Sequence, residues 1–285
     1  DLSQGSCCTC NCRGEELRLP KPREIIEDVA TRDKVLSDMR ARIGVDTKRE
    51  GIHLSSLVFC LRKAWHMYRI DQSDKSRAEV LGATPDETAL VWVIGHSHEA
   101  IFGASSIRGE STEKDGITYT PDFWHPEGGT LELVEMKSTR KSANKGIEDM
   151  EHYMAQAAGY CAASGLTECC VFVLHLMGDY DRSHPPQAML KVWRLKFTKA
   201  ELIRWWNELK RRRDAILSNE EPQMLLRTPA TSFSSAEEAM PSLKSPMYEW
   251  ECGYCQVREL IGCPGGYEYQ QAALRAARKA QEQKL

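Results

Sequence analysis

The sequence predicts an α/β protein in which helices flank a mixed central sheet, and three stretches carry that expectation. Residues 169–177 form a nearly continuous apolar run of strand length, the pattern of a strand covered on both faces. Residues 116–140 alternate β-formers at 117–120 and 131–136 around a break at Pro126, Glu127, Gly128 and Gly129, which reads as a hairpin. Between and after these stand helical segments, 147–164 ending at Gly165 and another opened by the capping box of Thr198 with Glu201.

Taken in order, residues 1–20 are a flexible leader holding Cys7, Cys8, Cys10 and Cys12 without hydrophobic periodicity. A single domain is expected over 21–267. Residues 23–43 carry an apolar stripe at helical spacing, and 52–65 read as a helix capped by Ser55 or Ser56. A polar loop at 71–84 precedes a helix at 87–102. After the sheet segments, 190–197 alternate as a half-exposed strand, and the helix from Thr198 runs to about residue 217. Residues 218–247, rich in Pro, Ser, Thr and Glu, form a long loop that delivers a cysteine-bearing segment at 248–265. A helical tail at 268–285 ends the chain.

Bulk properties narrow the function. With 285 residues the chain can bury a sizeable core. Its net charge of -3 excludes a globally basic nucleic-acid binder, so any contact with phosphate falls to local patches such as Lys210 to Arg213. The plain reading of that run is a solvated helix face. No apolar run reaches the roughly 18 residues needed to span a bilayer and no signal peptide opens the chain, so a cytoplasmic protein without a membrane partner is expected. Eleven cysteines in such a chain point to metal more than to disulfides.

The chemistry centres on the hairpin. Side chains two apart on a strand share a face, so Glu135 and Lys137 point the same way, and Asp122 is expected at the end of the preceding strand. Pairing would bring two carboxylates and one ammonium together, an arrangement suited to a hard divalent cation and an activated water. The competing reading is a surface hairpin with a salt bridge. His98 and His96 both offer imidazoles to the same helix, and Gln156 and Tyr160, four apart, share a helix face. Cys60, beside Arg62 and Lys63, taken alone reads as a buried apolar thiol more than as a ligand; Cys252, Cys255 and Cys263 cluster later, with Pro264 after the last.

In the order His98, Pro121-Asp122, Glu135-x-Lys137, Gln156-x-x-x-Tyr160, the chain resembles the RecB-like branch of the PD-(D/E)XK nucleases. One cysteine ahead of these motifs and a cluster behind them resemble its iron-sulfur members, among them the CRISPR-associated exonucleases of the adaptation module and the AddB-type nucleases. The resemblance spans about residues 50–265. It implies a restriction-endonuclease-like sheet, Mg²⁺ or Mn²⁺ on His98, Asp122 and Glu135, a water-assisting Lys137, and Gln156 and Tyr160 as supports for DNA and site. It further implies a [4Fe-4S] cluster, with zinc as the alternative, stapled by Cys60, Cys252, Cys255 and Cys263. The implied function is exonucleolytic hydrolysis of DNA, on single strands or single-stranded ends, in CRISPR spacer acquisition, and so antiviral defence, or in repair and recombination. An integrase complex or a helicase is the implied partner, and Arg62, Arg211, Arg212 and Arg213 are the candidates for tracking the DNA backbone. The alternatives are a catalytically weak DNA-binding scaffold and a zinc-stapled endonuclease.

Overall fold

The computed structural model describes residues 28–44, 46–103, 106–127, 130–178, 187–222, 251–252 and 255–263. The cysteine-rich leader, most of the expected 218–247 loop and the tail lie outside them. The described elements are α1 (Val29–Ile43), α2 (Leu54–Val58), α3 (Leu61–Gln72), α4 (Arg77–Leu81), α5 (Asp86–Phe102), β1 (Ile107–Arg108), β2 (Thr112–Lys114), β3 (Ile117–Tyr119), β4 (Phe123–Glu127), β5 (Thr130–Thr139), a 3-10 turn (Ile147–Met150), α6 (Glu151–Ser164), β6 (Glu168–His175), β7 (Met189–Lys196) and α7 (Lys199–Leu217).

Five strands form a mixed sheet in the order β1-β4-β5-β6-β7. Strands β5 and β6 run parallel, joined by the α6 crossover, and the other pairs are antiparallel. Period-2 alternation divides β5 between two cores. Leu133 joins the larger cluster with Val171, Val173, Ala157, Cys161, Trp205 and Leu209, while Val134 and Met136 join a smaller one with Phe123 and Cys170. Helices α6 and α7 build the first, and α5 packs against β5.

The hairpin differs from expectation in its first arm. Residues Ile117–Tyr119 leave the main sheet and pair with Thr112–Lys114 across a turn whose Asp115 and Gly116 both have positive φ, 51° and 70°. Asp-Gly suits that left-handed pair, since both residues tolerate it. The true partner of β5 is β4, in register Phe123↔Val134 through Glu127↔Thr130, so Pro126 lies within a strand. It is tolerated because β1 pairs only with Phe123 and Trp124, and no ladder bond is required on that side of Pro126. Asp122 therefore directly precedes a strand instead of ending one.

Other boundaries shift for local reasons. The expected helix at 52–65 is two helices with caps at His53 and Cys60, not at Ser55 or Ser56. The polar loop holds α4, opened by a capping box of Ser76 and Glu79. In contrast, α6 ends on left-handed Gly165 and α7 opens on the Thr198–Glu201 box, as the sequence predicts.

Candidate functional site

On β5, Glu135 faces the larger core and is fully buried. The antiparallel register places Asp122 beside it, and Asp122 Oδ2 accepts a 2.7 Å hydrogen bond from the backbone N–H of Met136. Lys137 Nζ donates to Glu135 Oε1. The other oxygen, Glu135 Oε2, is buried and has no hydrogen-bond partner. Such an orphan is costly, and burial followed by the neighbouring charge of Asp122 pushes the Glu135 carboxyl up to about 8. For Lys137 burial alone would favour loss of the proton, but Glu135 and then Asp122 outweigh it and hold the ammonium above its usual range. Its side chain as a whole is 23% exposed.

Helix α6 closes the site from above. Gln156 Nε2 donates to Tyr160 Oη at 2.8 Å, with both residues buried. Tyr119 from β3 packs on the Tyr160 ring, centroids 6.4 Å apart. The Trp205 indole donates to Ala155 O at 2.9 Å and thereby ties α6 to α7. His152, also on α6, is pushed down to about 3 by burial and then by Lys141 and Lys137, so it stands neutral over the site. Sequence reading missed His152, because a lone histidine before a tyrosine carries no pattern. It also missed His53, which occupies the N-cap position of α2 without a side-chain capping bond.

His98 lies on α5, half-buried, with a buried Nδ1 that has no hydrogen-bond partner. His96 is more exposed and faces Glu99 at 3.5 Å. Among the described residues no three His, Cys, Asp or Glu side chains gather tightly enough to hold one metal ion. The acidic pair, with its buried carboxylate oxygen lacking a partner, suits a hard cation; the buried Nδ1 of His98 on α5 is a separate donor that is not gathered with that pair.

Cys60, Cys252, Cys255 and Cys263 all line one small cavity, of about 20 Å³, together with Lys63 and Glu251. All four are free of disulfides. Glu251 Oε2 accepts from the Cys60 backbone N–H at 3.0 Å, which fastens the C-terminal segment to the start of α3. Burial pushes the Cys60 thiol up to about 11. Cys7, Cys8, Cys10 and Cys12 lie outside the described residues.

The basic candidates separate. Arg212 is 1% exposed, so it is not a surface residue; it donates to Leu57 O at 2.9 Å and pairs with Glu208 at 3.1 Å. Its position on α7 faces the core, which the charge run alone did not reveal. Arg213 is held by Asp115 O and Asp214, and Arg62 by Glu221. Arg211, with 70% of its side chain exposed, is the member of the run that reaches solvent most fully.

No protein-family model and no curated protein matches the chain. Two solved structures are similar to it at low identity. The protein SSO0001 shares 14% identity over 82% of this chain and 96% of its own, with a TM-score of 0.46. A phage-related exonuclease from Haemophilus somnus 129PT shares 13% over 58% and 92%, with a TM-score of 0.35. At such values the functional reading rests on the chain's own residues. Among the described residues no helix is long and apolar enough to cross a membrane.

Proposed function

We propose that the chain is a divalent-cation-dependent DNA nuclease of the RecB-like PD-(D/E)XK kind, with a restriction-endonuclease-like sheet. The observation that carries the reading is the junction of Asp122, Glu135 and Lys137 on paired strands, with one buried carboxylate oxygen left without a partner. Mg²⁺ or Mn²⁺, held by Asp122, Glu135 and His98, would supply Lewis-acid stabilisation of the phosphate and acidify a water. The protein's own groups position the rest. Lys137, kept as an ammonium, orients the water or the phosphate by donation, and the Gln156–Tyr160 bond fixes the α6 wall beside it.

The four cysteines support a [4Fe-4S] cluster over zinc. Thiols around one zinc lie within about 4 Å of one another, as Zn–S bonds of about 2.3 Å require, whereas each cysteine of a cluster binds a different iron. The four thiols line one cavity, and the order of one cysteine ahead of the nuclease motifs and three behind them is what favours the cluster. The substrate is DNA with single-stranded ends, in spacer acquisition or repair, alongside an integrase or helicase partner; the order of the motifs along the chain supports this.

Incubation of end-labelled linear and circular single-stranded DNA with Mn²⁺ tests the reading. Loss of the linear substrate with survival of the circle is expected. Cleavage of both would make the protein an endonuclease, and binding without cleavage would make it a scaffold.

A further inference from the structure

A pocket away from the acidic site has a different chemistry. It lies where the end of α6, the start of β6 and the outer side of α7 meet the β2–β3 hairpin, and it measures about 380 Å³. That is the size of a small-molecule site. Lys114, Lys199 and Lys210 line it, and among its described lining residues there is no carboxylate. Lys199 and Lys210 make no hydrogen bond or ion pair with any described residue. Lys114 Nζ donates to Ala162 O at 2.9 Å and Ala163 O at 3.0 Å, which leaves one of its three protons uncommitted.

The remaining wall is apolar with two polar points. Trp206, only 7% exposed and otherwise part of the core, shows the hollow an edge of its ring, with Lys114 Nζ 5.2 Å from the centroid, while its indole N–H is spent on Asp115 Oδ2 at 2.7 Å. Ile203 is 62% exposed at the mouth, a large aliphatic group in water with no cover. Thr167 and Asn207 supply a hydroxyl and an amide. The Asp115 carboxylate beside Trp206 offsets part of the charge of Lys114 and Lys210, and an anion in the hollow would offset the rest together with Lys199. The hollow also offers an apolar surface that a bare ion would leave wet.

We propose that this pocket binds a nucleoside phosphate, the phosphate on Lys199 and Lys210 with Lys114 behind, and the base on the Trp206–Ile203 wall. The ligand has two possible sources with the same chemistry, a free mononucleotide or the 5′-phosphorylated end of a strand. Neither needs the hydrolytic site, so the pocket stands or falls apart from the nuclease reading.

Thermal melting of the full chain in EDTA, which silences cation-dependent cleavage, tests this with dAMP, a 5′-phosphorylated hexanucleotide, inorganic phosphate and a poly-glutamate peptide. A nucleotide at a hundredfold excess over its Kd should raise Tm by about 5 °C or more, with phosphate alone giving less. A shift with both dAMP and the hexanucleotide assigns the site to the free nucleotide, and a shift with the hexanucleotide alone assigns it to the strand end. Lys199→Ala with Lys210→Ala, neither in a hydrogen bond with a described residue, should weaken binding at least tenfold, and Ile203→Ser should weaken dAMP more than phosphate. No shift with either nucleotide, an equal shift in the double variant, or a shift with poly-glutamate in place of the nucleotides would overturn the proposal.

Discussion

Asp122 Oδ2 accepts the backbone N–H of Met136, the residue that separates Glu135 from Lys137. The carboxylate thus serves the strand ladder and also brings negative charge against a buried acid. Asparagine keeps the acceptor and removes the charge; alanine removes both. Without added metal, Asp122→Asn should therefore melt higher than Asp122→Ala by the worth of one hydrogen bond, about 1 kcal/mol, or roughly 2 to 4 °C. The opposite order in a melting series would show that the Met136 contact contributes nothing.

Arg212 and Arg211 adjoin in sequence and differ in kind. Arg212→Ala leaves Leu57 O and the half-buried Glu208 without their donor, at a cost of about 2 to 4 kcal/mol. Arg211→Ala should fall within about 0.5 kcal/mol of the parent. Urea unfolding of the two variants checks this, and equal midpoints would contradict the buried role of Arg212.

His152 sets an acid limit on stability. Its folded value is about 3 and its ordinary one 6.5, so below pH 6.5 the unfolded chain takes up a proton that the fold refuses. Stability should fall as pH drops from about 6.5 towards 3, at up to about 1.4 kcal/mol per pH unit from this group. His152→Phe, which keeps a ring beside Phe59 and Tyr153, should flatten that limb relative to the parent. Parallel acid limbs in the two proteins would remove His152 from the account.

The cysteine cavity joins positions far apart in sequence, so any group bound there closes a long loop and adds its binding free energy to folding. Anaerobically purified protein should be brown with about four iron atoms per chain. Cys60→Ser or Cys255→Ser should bleach it and lower Tm, while Cys161→Ser should keep the colour. A colourless, zinc-loaded and folded protein would defeat the cluster.

What the sequence made legible follows from the range of each signal. The apolar run of β6 and the capping box of α7 are local, and the structure matches them. The partner of β5 was misjudged because two arms compete for it: Ile117–Tyr119 has the stronger β-formers, yet the Asp115–Gly116 turn folds it back onto Thr112–Lys114 first. The proximity of Asp122 to Glu135 survived this error, since the arm that does pair begins directly after Asp122. Arg212 was misread because a run of four basic residues on a helix must wrap more than a full turn, and composition does not tell which of them points inward.

Single-turnover cleavage of end-labelled linear single-stranded DNA with Mn²⁺, by the parent, Asp122→Asn and Lys137→Arg, bears most directly on the hydrolytic site. The account predicts that both variants fold, bind the strand, and lose at least a hundredfold in cleavage rate, because asparagine cannot supply the charge and a guanidinium fork does not fill the place of a compact ammonium. Cleavage by folded Asp122→Asn at the parental rate would contradict it.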